Sequence, residues 1–126
     1  MNRDTLLHRQ VNPAWVQQGR ITSQVFRPTP KDEKQLSVYD GDQITAEKAW
    51  SHFTDTLGHA SLGVMAVTVS ECENQDLTVR PDPVPFREHA VIDFSELGES
   101  QIKKKAKRLK VAAESRDWLF RAESFS

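Results

Sequence analysis

The stretch Gly19–Asp42, GRITSQVFRPTPKDEKQLSVYDGD, decides how this chain is read. It holds two β-like runs, Ile21–Phe26 and Leu36–Tyr39, joined by a polar loop with prolines at 28 and 30. In the first run Ile21, Ser23 and Val25 alternate with Thr22, Gln24 and Phe26, the period of two that a strand requires. In the second, Ser37 and Tyr39 share one face, and Asp40-Gly41-Asp42 closes the run with a turn signal. The stretch also gathers Arg20, Ser23, Arg27, Ser37, Tyr39 and Asp40, the densest mix of polar, chemistry-bearing side chains in the sequence.

Working outward, Thr5–Val11 reads as a first strand. It has Leu7, Arg9 and Val11 on one side and Leu6, His8 and Gln10 on the other. Asn12-Pro13 ends it, because proline has no amide to donate, and Pro13–Gln18 suits a helical turn. Downstream, Thr45 is a helix N-cap followed by Ala46, Trp50, Phe53 and Leu57 on one apolar face, with Gly58 as the stop. Leu62–Val69 is a β-branched apolar run suited to a central strand. Ser70–Asp76 reads as a polar turn and Leu77–Val79 as a short strand. Arg80–Glu88 is an extended loop because of Pro81, Pro83 and Pro85. His89–Phe94 is a further strand. Glu99–Ser115 is a second helix, with Ile102, Ala106, Leu109 and Ala113 as its apolar stripe. Trp118–Phe120 is a last short strand. This order predicts an α+β fold, a mostly antiparallel sheet of short strands with two main helices packed on it, in a single domain over 1–126.

Composition narrows the function classes. With 126 residues, 37% apolar, 28% charged and a net charge of −1, the chain has the balance of a soluble globular protein without a global basic field. Cys72 is the only cysteine, so no intrachain disulfide is expected. The start lacks a signal-peptide apolar run, and no stretch approaches the roughly 20 apolar residues of a membrane span. The expected location is cytoplasmic, with no membrane partner. The four histidines lack metal-ligand spacing, so no metal is expected, and no cofactor is implied. No glycine-rich phosphate loop and no Gly-x-Ser-x-Gly elbow occurs.

The candidate ligand-binding residues are Arg9, Arg20, Ser23, Ser37, Tyr39 and His89. Arginines clamp phosphate or carboxylate groups, hydroxyls hold ligand oxygens, and histidine moves protons. Hydroxyls at Ser37 and Tyr39 would equally suit a sheet with one wet face. A second candidate is the basic patch Lys103, Lys104, Lys107 and Arg108 on the late helix. It is either a solvated face or a contact for nucleic acid or an acidic partner.

The runs HRQVNPAWVQQGRITSQVFRPTPKDE (8–33), LSVYDGD (36–42) and PVPFREHAVIDF (83–94) resemble a family of small stand-alone bacterial proteins of unknown function. That resemblance implies a complete bacterial protein. Arg9, the Thr22-Ser23 pair and Glu71-Cys72-Glu73, in that order, also resemble the arginine-specific branch of ADP-ribosyltransferase-like toxins. Two functions follow as expectations. One is a binding or interaction protein of an accessory system, of toxin–antitoxin or phage-defence type, with a polar cleft for an anionic ligand and a protein partner encoded nearby. The other is a small enzyme acting on a nucleotide or nucleic acid, in an ADP-ribosyltransferase-like manner.

Overall fold

A computed structural model describes residues 1–29, 31 and 33–122. Six strands form one antiparallel sheet: β1 (Leu6–Gln10), β4 (Gln35–Asp40), β5 (Gly63–Thr68), β6 (Thr78–Pro81), β7 (His89–Asp93) and β8 (Phe120–Arg121). Their order is β6-β7-β4-β1-β5-β8. Two further short strands, β2 (Val16–Gln17) and β3 (Arg20–Ile21), form a separate two-stranded ribbon. The helices are α1 (Ala46–Ser51), widening into a π-helical turn at His52–Thr56, then α2 (Val69–Glu73) and α3 (Glu99–Arg116). The α+β, antiparallel reading holds.

The two faces of the sheet differ in chemistry because side chains alternate along each strand. Leu7, Leu36, Val38, Met65, Val67, Ala90 and Ile92 point to one face. There they meet Ile102, Ala106, Leu109 and Ala113 of α3 in a single core cluster. The opposite face carries His8, Gln10, Ser37, Tyr39 and His89, since the register pairs His8 with Tyr39 and Tyr39 with His89. α1 leans on this second face, where Trp50 near its C-terminal end meets Phe120 with ring centres 5.1 Å apart.

Three local expectations are corrected. Ile21–Phe26 is not a strand: only Arg20–Ile21 is, and Ser23–Phe26 is a 3-10 turn. Val25 and Phe26 are both fully buried against the α3 side. Adjacent strand residues point to opposite faces, so a turn buries this pair where a strand could not. The Thr22 amide and hydroxyl both donate to the Trp15 carbonyl, at 2.9 and 2.8 Å, and this pins the turn. Consequently Arg20–Phe26 is not a sheet neighbour of β4.

Ser70–Asp76 is not merely a turn either. Val69–Glu73 is a helix started by a capping box, in which Thr68 accepts from the Glu71 amide and the Glu71 carboxylate accepts from the Thr68 amide. Lastly, the apolar face expected from Ala46 to Leu57 is broken by the π-helical turn. The i→i+5 bonding widens the turn and shifts the spacing, which leaves Leu57 40% exposed and Phe53 half-buried. Thr45 does cap α1, accepting from the Lys48 amide at 3.2 Å. No helix among the described residues is long and apolar enough to cross a membrane.

Candidate functional site

The site follows from where two central strands part. β1 pairs with β5 along five residues, but with β4 only at Leu7–Asp40 and His8–Tyr39. Beyond His8 the β1–β4 ladder stops. Arg9 fills the opening: its Nε donates to the Val25 carbonyl at 2.7 Å and its Nη1 to the Ser37 carbonyl at 2.9 Å. Its guanidinium also lies 5.0 Å from the centre of the Trp15 ring. An arginine side chain thus replaces the ladder bond that Ser37 would otherwise receive.

A cavity of about 330 Å³ opens on the polar face at this parting. Its floor is His8, Gln10, Ser37, Tyr39 and His89; Phe53, Leu57 and His59 border it on one side, and Asp82, Val84, Pro85 and Phe86 on the other. This volume lies at the lower end of the range for small-molecule sites, roughly 300–1,000 Å³. Phe86 stacks on Tyr39 at 5.1 Å and meets His52 and His89 edge-on at 4.6 and 5.2 Å. The proline-rich loop is therefore bound into the wall by aromatic contacts.

Each polar group on the floor has a definite state. The Tyr39 hydroxyl bonds His52 Nδ1 at 2.8 Å. Burial, reinforced by the charge of Glu88, raises its pKa, so it stays a neutral phenol. His8 is 4% exposed. Burial lowers its pKa, against smaller upward pulls from the Ile44 backbone and Asp40, which favours the neutral ring. The Asp40–Asp42 turn presses on it, with the Gly41 amide donating to the Leu6 carbonyl at 2.7 Å. A Cβ at Gly41 would fall 3.1 Å from His8 Nε2. His8 Nδ1 and Gln10 Nε2 are buried without a hydrogen-bond partner among the described residues. The Ser61 hydroxyl reaches Gln10 Oε1 at 2.7 Å and the Gly63 carbonyl at 2.9 Å, and one hydrogen cannot serve both. In either amide orientation one end of Gln10 stays unpartnered. His8 and Gln10 lie two residues apart on one strand face, so the two unpartnered groups share this floor.

Of the residues singled out from sequence, Arg9, Ser37, Tyr39 and His89 all line this cavity. Arg20 and Ser23 do not. Arg20 sits on the two-stranded ribbon and pairs with Glu114 at 3.2 Å, in a separate hollow with Met65 and Trp118. Ser23 begins the 3-10 turn. The two arginines expected to converge on one ligand are thus spent on different parts of the fold. Lys103, Lys104, Lys107 and Arg108 are exposed on α3, whereas Lys105 is buried and donates to the Gln75 carbonyl. The parts of the toxin-like pattern do not meet. Thr22-Ser23 lies off the main sheet, and Glu71 is held by Arg116 at 3.0 and 3.1 Å. Cys72 is fully buried, its thiol pushed up to about 12 by burial and then by Glu71 and Glu73.

Sequence reasoning did not single out Gln10, His52, Asp82 or Phe86. Gln10 was findable, because it shares a face with His8 by period two. The others come from a helix and a loop that only tertiary packing brings to the floor. Among the described residues no three His, Cys, Asp or Glu side chains are grouped to hold a metal ion. Compared with known proteins, the chain matches no family model, no curated protein and no solved structure at a significant level.

Proposed function

We propose that the protein is a small enzyme acting on a nucleotide, with the cavity at the β1–β4 parting as its site. One observation carries the reading: His8, Ser37, Tyr39 and His89, from three adjacent strands, share one cavity floor beside the Phe86 ring. An aromatic wall suits a flat heteroaromatic ring. The orphaned nitrogens of His8 and Gln10 suit the donors and acceptors on that ring's edge. Ser37 and His89 suit sugar hydroxyls. Arg9, the only arginine or lysine lining the cavity among the described residues, is already bonded to two carbonyls. The site therefore favours the base and sugar, with phosphates directed to solvent. The test is calorimetric titration with adenosine and uridine monophosphates. Binding that weakens about tenfold, or ~1.4 kcal/mol, in Phe86→Ala and His8→Ala and is unchanged in Arg20→Ala supports it. Absence of binding by every mononucleotide refutes it.

A second reading, an interaction protein of a bacterial accessory system, draws on α3. Lys103, Lys104 and Lys107 are exposed and make no ion pair among the described residues. Such a stripe suits an acidic protein surface or a phosphate backbone. Loss of nucleic-acid or partner binding in a triple Lys→Ala variant, with a matching loss at higher salt, would favour it.

A further inference from the structure

Ser37, His89 and Asp82 form a hydrogen-bonded chain along the cavity floor. Ser37 Oγ lies 3.0 Å from His89 Nε2. His89 Nδ1 lies 2.9 Å from the Asp82 carbonyl and 3.5 Å from the Asp82 carboxylate. A carbonyl only accepts, so Nδ1 carries the hydrogen and Nε2 is left with its lone pair. The Ser37 hydroxyl therefore donates to Nε2. The nearby carboxylate lies beside Nδ1, where it helps to orient the ring. His89 is 8% exposed and held in place, while Ser37 is exposed. This is the arrangement of nucleophile, base and orienting group that covalent catalysis requires.

We propose that Ser37 is the nucleophile of an acyl-transfer reaction, with His89 as its general base and Asp82 orienting that base. The substrate class is a carboxylic ester; resting on the nucleotide reading above, it is an O-acyl ester of a nucleoside or nucleotide. Ser37 Oγ bonds to the ester carbonyl carbon, the carbonyl π pair moves to its oxygen, and the hydroxyl proton passes to Nε2. The tetrahedral adduct collapses, the bond to the alcohol oxygen breaks, and His89 returns the proton to that oxygen. Water then gives a proton to His89 as its oxygen bonds to the acyl carbon; the Ser37 Oγ–acyl bond breaks, His89 returns the proton to Oγ, and the carboxylic acid leaves. No oxidant, reductant or further reactant is needed. Phosphoryl transfer fits less well, since it needs cations on the transferred group and Arg9 is bonded to two carbonyls.

The test treats the full chain with a fluorophosphonate probe, which displaces fluoride by forming a serine–phosphorus bond. Intact mass and peptide mapping follow. The expected result is one adduct at Ser37, none in Ser37→Ala, and labelling slowed roughly 100-fold or more in His89→Ala and His89→Gln. Melting curves identify any variant that has not folded. No adduct in the folded wild-type protein, or equal labelling of a folded His89 variant, overturns the proposal. Mononucleotide binding to Ser37→Ala is measured alongside. Mononucleotide binding by a wild-type protein that the probe does not label leaves the nucleotide reading standing and the acyl-transfer proposal overturned. Labelling without nucleotide binding by any variant supports the serine chemistry and removes the nucleoside from the substrate class.

Discussion

Replacing Arg9 by alanine separates a fold-holding role from a ligand-holding one. The guanidinium makes a part-buried hydrogen bond to the Val25 carbonyl, a more exposed one to the Ser37 carbonyl, and a cation–π contact with Trp15. A hydrogen bond from a charged donor contributes about 1.5–3 kcal/mol and an exposed cation–π contact about 0.5–1. Discounting the exposed bond, Arg9→Ala is expected to cost about 2–4 kcal/mol. Unfolding entropy of roughly 2.1 cal/mol/K per residue over 126 residues gives about 0.26 kcal/mol/K. The melting temperature should then fall by about 8–15 °C, read by circular dichroism or calorimetry. Arg9→Lys recovers little, because an ammonium cannot serve two carbonyls in fork geometry. A melting temperature within about 2 °C of wild type would refute the reasoning. It would return Arg9 to the role of a ligand clamp.

Other outcomes follow from the same structure. Phe94 is fully buried, so Phe94→Ala should cost about 3–5 kcal/mol in chemical denaturation. The half-buried Phe53 should lose only about 1–2 kcal/mol, and equal losses would contradict the burial difference. Glu71 is desolvated by burial, yet its pKa is lowered by the hydrogen bonds from Arg116 and Thr68 and by the Arg116 charge. Its contribution to stability is thus present above the unfolded carboxylate value and is lost as pH falls through the lower folded one. Glu71→Gln should be less stable than wild type at pH 7, with the gap closing in acid; a gap constant from pH 7 to pH 3 would contradict this. The Cys72 thiol, buried and pushed up to about 12, should resist a thiol reagent at pH 8 until the chain unfolds. Rapid modification of the native protein would refute its burial.

Much of the fold was legible because its signals are local. The apolar alternation of Leu36–Tyr39, the unbroken apolar run after Leu62, the Thr45 cap and the stripe of α3 each map onto an element with shifted ends. The misreadings share a cause. Thr22–Phe26 has strand-like alternation, but burial of the adjacent Val25 and Phe26 against the α3 side overrides it. Thr68–Glu71 carries a capping box that the polar run after it obscured. At the site, period two placed Ser37 and Tyr39 together correctly, and His89 joined them through the β4–β7 register. Arg20 lies away from them, because its strand pairs only within the small ribbon. Phe86, Asp82 and His52 reach the site through packing of a loop and a helix end, for which a single sequence has no local signal.

The most direct test of the account is side-chain NMR of the histidine rings and glutamine amides during titration with adenosine monophosphate. His89 should carry its proton on Nδ1 before ligand is added. His8, Gln10 and His89 should shift together on binding while residues around Arg20 and Glu114 stay still. Shifts centred on Arg20 or the α3 lysines, or a His89 protonated on Nε2 in the free protein, would contradict it.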